Sequence, residues 1–141
     1  MGVFKVERLW NEACNPKEYS PLTLAFIGDA VFEVMVREKL VCEGNRSVKK
    51  LHAGSVEMVR CDAQAQAVEA ILPLLTEEEQ DILRRGRNAH PMHTPKNADA
   101  GVYHIATGFE CLMGYLYLKG EIERLRELCS VIFEPKKGTE G

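Results

Sequence analysis

Asp29 and Glu33 are the only charged side chains between Pro21 and Val36, in a stretch that is otherwise apolar or small. Four residues apart, they share one face of a helix. A carboxylate set among Phe26, Ile27, Val31 and Val34 loses hydration, which is costly unless a cation, a donor or a proton compensates. The stretch Ile105 to Leu118, IATGFECLMGYLYL, repeats the arrangement with Glu110 as its single charge. Two apolar helices, each with an acid where a core residue could stand, suggest carboxylates brought together for a metal ion. For either acid alone, a solvated outward face or a distant arginine partner is the better reading. The repetition brings the metal reading level with it.

The elements that must position these acids are helical. Val6, Leu9 and Trp10 could line one side of a short amphipathic helix over residues 3 to 13, which Asn15-Pro16 would end. Pro21 suits the first turn of the central helix, which is expected to run to about Val41 and stop at Glu43-Gly44-Asn45. Ser47 is a natural N-cap for a helix carrying Val48, Leu51, Val56, Val59, Ala63, Ala67 and either Ala70 or Ile71, ended or kinked at Pro73. Thr76 to Glu79 reads as a capping box, opening a helix that weakens at Gly86 and Asn88. Residues 88 to 101, NAHPMHTPKNADAG, have no apolar period and read as a long loop of the kind that carries function. A helix from Asp99 or Tyr103 carries Glu110 and ends near Gly120. The last, Glu121 to Phe133, puts Ile122, Leu125, Leu128, Val131 and Ile132 on its core face. With no sustained β alternation, the fold class is all-α, with five to seven helices. One domain is expected over residues 1–134, followed by a flexible tail, 135–141.

At 141 residues, 45% hydrophobic and 28% charged, the chain has an ordinary globular composition and can bury a core without disulfides. Its five cysteines are odd in number, widely spaced and without a CxxC pair, which argues for reduced thiols and a cytoplasmic location. Lys5, Glu7 and Arg8 exclude a signal-peptide core, and no charge-free run reaches the roughly 20 residues of a membrane span. The net charge of -3 does not announce a nucleic-acid binder, but its distribution does more. Residues 83 to 97 hold Arg84, Arg85, Arg87 and Lys96 and no acid, and a local cationic patch suffices to attract a polyanion.

LAFIGDAVFE and FECLMGYLYL resemble the two acidic helices of the ribonuclease III family. IGDA at Ile27 to Ala30, RRGRNA at Arg84 to Ala89 and TPKN at Thr94 to Asn97 resemble its compact branch, mini-ribonuclease III, which carries the catalytic domain and no appended double-stranded-RNA-binding domain. The resemblance implies an all-α, ribonuclease III-like endonuclease domain. It implies a homodimer that cleaves double-stranded RNA with Mg2+ and matures the ends of 23S ribosomal RNA. Asp29 and Glu110 match the family's catalytic acids. Ala25 and Thr107 stand where the larger enzymes carry further acids, so the metal site is expected to be sparse.

On this reading Asp29 and Glu110 hold Mg2+, which needs only one or two carboxylates beside water and phosphate. Glu33 reads first as a structural acid paired with a base or with the partner subunit, and second as a support for the site one turn from Asp29. Thr107 could hydrogen-bond a water of the ion, although a helix-interior threonine more often bonds its own backbone. Arg84, Arg85, Arg87 and Lys96 suit phosphates, and Asn88 and Asn97 suit 2′-hydroxyls, because A-form RNA hides its base edges. Arg84 and Arg85 are equally explained as complements to the helix dipole. His90 and His93 read as an exposed loop pair, and His104 as a surface or RNA-facing residue. The apolar Phe26, Ile27, Val31 and Val34 are either core or, as the resemblance implies, the contact between two copies. With no separate RNA-binding module, RNA shape or a bound ribosomal protein is expected to direct substrate choice. Two rivals stand beside this reading: a non-catalytic double-stranded-RNA-binding or ribosome-assembly module of the same fold, and an all-α nucleotide hydrolase.

Overall fold

The computed structural model describes residues 7–89 and 99–134. Among these residues there are six α-helices and no strand: α1 (Pro21–Glu43), α2 (Val48–Val59), α3 (Cys61–Ile71), α4 (Glu77–Arg87), α5 (Ala100–Leu118) and α6 (Ile122–Phe133). Short 3-10 turns span Pro16–Glu18 and Leu72–Leu74. Ser47 and the Thr76 capping box are the caps the sequence indicates, and Ser20 and Asp99 add two more. Ser20, Ser47 and Asp99 accept the N–H groups of Thr23, Lys50 and Val102, and Thr76 and Glu79 form the complete capping box.

The fold is built around α5, which packs against α1, α3, α4 and α6. Every residue from Ala106 to Leu116 is buried except Glu110, which is half-buried. A helix that apolar is stable only when covered on nearly all sides. α1 crosses it so closely that both helices need glycine at the crossing. A Cβ added at Gly28 would overlap the carbonyl oxygen of Glu110 and stand 2.7 Å from the Gly114 nitrogen. α4 approaches α5 through Gly86 and Gly108 in the same way. A bidentate ion pair joins α4 to α6. Arg124 Nε and Nη2 donate to Glu79 at 2.8 and 2.7 Å, with a third bond to the Leu74 carbonyl. Glu79 thus serves the capping box and the ion pair together, and these contacts hold its carboxyl below the usual range.

Three expectations are corrected, and for Phe26 and Val34 the core reading, one of the two left open, is excluded. Residues 7–15 form no helix; the Leu9 N–H donates to the Tyr117 hydroxyl at 2.7 Å, and Leu9 and Trp10 lie on the surface. So short a segment has little helical stability without a packed face. The single helix expected after Ser47 breaks at Arg60, whose extended backbone separates α2 from α3. Arg60 chelates Asp62 there, and Asp62 in turn accepts the Ala63 N–H. Val131 is exposed, and Cys129 takes its place on the buried face of α6. Phe26 and Val34 are not core: they are 83% and 55% exposed, because α1 buries Leu24, Ala25, Gly28, Phe32, Val36 and Leu40 instead. Residues 3–6 of the expected first helix, residues 90–98 of the expected loop and the expected tail 135–141 lie outside the described residues.

Candidate active site

Asp29 follows the crossing glycine of α1 directly, and Glu110 supplies the carbonyl that Gly28 packs against, so the crossing itself brings the two acids together. Both line one cleft, near enough for the charge of Asp29 to act on Glu110. They share an open cleft of about 590 Å3 with Leu22, Ala25, Phe26, Tyr103 and Thr107. Asp29 is exposed, so the dehydration expected for it falls on Glu110 instead. Burial, and next the charge of Asp29, push the Glu110 carboxyl up to about 7, while a hydrogen bond from Gln64 works in the other direction. Among the described residues, no group of three or more acids, histidines or cysteines is gathered as a metal cluster.

The flanking candidates divide. Glu33 points to α2: its carboxylate accepts from Arg37 Nε at 2.8 Å and from the Ser55 hydroxyl at 2.7 Å, and these partners lower its pKa despite partial burial. It ties α1 to α2. The Thr107 hydroxyl donates to the Tyr103 carbonyl at 3.0 Å, the backbone bond usual in a helix interior. Arg84, Arg85 and Arg87 are exposed in the last turn of α4 and Asn88 caps it; Arg84 pairs with Asp81. This basic end lies against the Glu110 helix, since a Cβ at Gly108 would stand 3.1 Å from the Arg87 nitrogen. His104 is half-buried, with Nδ1 3.2 Å from the Arg87 carbonyl, which makes it part of the same junction. Lys96, Asn97, His90 and His93 lie outside the described residues.

Sequence reasoning passed over Gln64 and Cys61, whose only signal is a polar residue within an alanine-rich helix. Both face Glu110 from α3: the amide bonds it, and its charge, after burial, raises the Cys61 thiol.

Residues 22–121 match the model of the ribonuclease III domain. The chain belongs to the ribonuclease III family, in its mini-ribonuclease 3 group. It is 52% identical over 109 residues to the mini-ribonuclease 3 of Thermoanaerobacter sp., covering 77% of each chain. The Synechocystis sp. protein of that name is 39% identical over 141 residues, with 96% of each chain covered. A crystal structure of a Fusobacterium nucleatum protein shares the fold with a TM-score of 0.76 at 25% identity, covering 85% of this chain and 96% of that one. As a ribonuclease III family member the protein is an RNA endonuclease. No helix among the described residues is long and apolar enough to cross a membrane.

Proposed function

We propose that the protein is a Mg2+-dependent endonuclease of double-stranded RNA, with Asp29 and Glu110 as its catalytic, ion-holding pair. The meeting of these two carboxyls at an open cleft carries the reading. Folding has set two like charges side by side at a cost, and a cation between them removes that cost. The donor set fits Mg2+, which takes hard oxygen ligands and keeps water and phosphate in its remaining positions. Bound there, Mg2+ supplies an oriented water for in-line attack on phosphorus and neutralises charge on the leaving oxygen. The chain's own part is to fix the two carboxylates on crossed helices and to hold the RNA backbone over them.

Holding the backbone falls to the basic end of α4, packed against the helix that carries Glu110, with Lys96 and Asn97 from the segment that follows it in sequence. Arg84, Arg85 and Arg87 meet phosphates, and Asn88 and Asn97 meet 2′-hydroxyls. Arg87→Gln and Lys96→Gln are each expected to weaken duplex binding and to lower the slope of log affinity against log salt by about 1. An unchanged slope in a binding titration at several salt concentrations would remove these residues from the interface.

The exposed apolar side of α1 suits a second copy. Ile27, Val31 and Val34 border a groove of about 630 Å3 completed by Tyr117, Ile122 and Phe133. A contiguous apolar surface of this kind marks an interface, and a two-fold contact uses it twice. Val34→Asp should therefore yield a monomer by sedimentation, whereas wild type sediments as a dimer. The natural substrate on this reading is precursor 23S ribosomal RNA in the cytoplasm, with a bound ribosomal protein directing the cut. The test offers purified protein an RNA duplex, the corresponding single strand and a DNA duplex. Cutting of the RNA duplex alone, abolished by a chelator, and trimming of precursor 23S RNA are expected. Binding of duplex and precursor without cutting either would favour a non-catalytic assembly role.

A further inference from the structure

We infer that Gln64 is a positioning residue for Glu110, a neutral donor that fixes the carboxylate without neutralising it. This rests on the reading of Asp29 and Glu110 as the ion-holding pair. The break at Arg60 starts α3 beside Glu110, and Cys61 and Gln64, three residues apart, lie on the side of α3 that meets it. Gln64 is 2% exposed. Its Nε2 donates to the Val59 carbonyl at 3.2 Å and to Glu110 Oε2 at 3.4 Å, while its buried Oε1 has no partner among the described residues.

Packing does not explain an amide here. Ala63, Ala65, Ala67 and Val68 surround it in sequence, and a methionine of similar volume would fill the space with no unpaired polar atom of its own. The alternative is that Gln64 only secures the break, through the Val59 carbonyl. That leaves the Glu110 contact unused. A lysine or arginine at this place would orient Glu110 too, but its charge would occupy the carboxylate needed for a cation. An asparagine would be one methylene short. Glutamine is the side chain that reaches, donates and stays neutral.

The test is Gln64→Met, read first without RNA as the Mg2+ concentration that half-saturates the shift in melting temperature, then as kcat and KM on an RNA duplex. Loss of such an outer partner should raise the half-saturating Mg2+ and lower kcat, each by roughly 10-fold or more, with KM within about twofold of wild type. A role confined to the helix break moves the melting temperature alone, and both Mg2+ response and kcat at wild-type values would overturn the inference. If Gln64→Met does not fold, Gln64→Glu, of the same length but unable to donate when ionised, takes its place; kcat equal to wild type at saturating Mg2+ would overturn it equally. A wild-type protein whose melting temperature ignores Mg2+ would instead overturn the reading of the pair, and this inference with it.

Discussion

Glu110→Gln should melt higher than wild type at pH 8 without divalent ions, while cleaving RNA more slowly by a factor on the order of 10^3 or more. The two effects have one cause. The folded chain raises the Glu110 carboxyl from 4.5 to about 7, through burial and the charge of Asp29. Between those values the folded protein holds a proton that the unfolded chain has released. Stability from this group therefore falls as pH rises through that window, and above it the full penalty remains. A shift of that size corresponds to at most about 3 kcal/mol, and the partial exposure of the site reduces it to about 1–2 kcal/mol. The neutral amide escapes the penalty. The difference in melting temperature should accordingly vanish towards pH 4.5, and Mg2+ should restore wild type at pH 8 without helping the variant. A variant no more stable than wild type at pH 8 would contradict the strained pair. Glu33, Glu78 and Glu79, whose pKa values are lowered by their partners, have the opposite sign: their contributions are lost as pH falls below the ordinary carboxylate range.

Gly28→Ala is the second large effect. In an exposed helix interior this change stabilises by about 1 kcal/mol. Here the new methyl group meets backbone, the Glu110 carbonyl and the Gly114 nitrogen, and neither can move without parting α1 from α5. Destabilisation of about 3 kcal/mol or more is expected, a fall in melting temperature of roughly 10 °C. Cleavage should fall further than the unfolded fraction explains, because the crossing that sets the helices in contact also sets Asp29 beside Glu110. Gly54→Ala is the control. Its methyl group would meet only Leu40 side-chain carbons at 3.4 Å, so it should be neutral or slightly stabilising. Equal melting temperatures for the two variants would show that the crossing tolerates separation.

Much of this arrangement was legible in the chain, and the failures have physical causes. Asp29 and Glu110 stood out because each is a charge in an apolar helix, and the Thr76 capping box and the Ser47 cap are local chemistry that tertiary contacts did not override. Which apolar stripe of α1 would be buried was not legible. The helix is apolar nearly all round, so Phe26 and Val34 carry the same pattern as Phe32 and Val36. The break at Arg60 was hidden because Ala63 to Ala70 favours helix on its own, while the turn depends on the local chelation of Asp62 and on Gln64 taking the Val59 carbonyl. The commitment of Glu33 to Ser55, 22 residues away, is a tertiary fact that helical spacing cannot supply.

The most direct measurement is a calorimetric titration of the RNA-free protein with Mg2+ at pH 7, for wild type, Asp29→Asn and Glu110→Gln. One ion bound per wild-type chain, and none by either variant over the same concentration range, is the predicted result. Binding of Mg2+ by both variants with wild-type heat and stoichiometry would contradict the assignment of Asp29 and Glu110 as the pair that holds it.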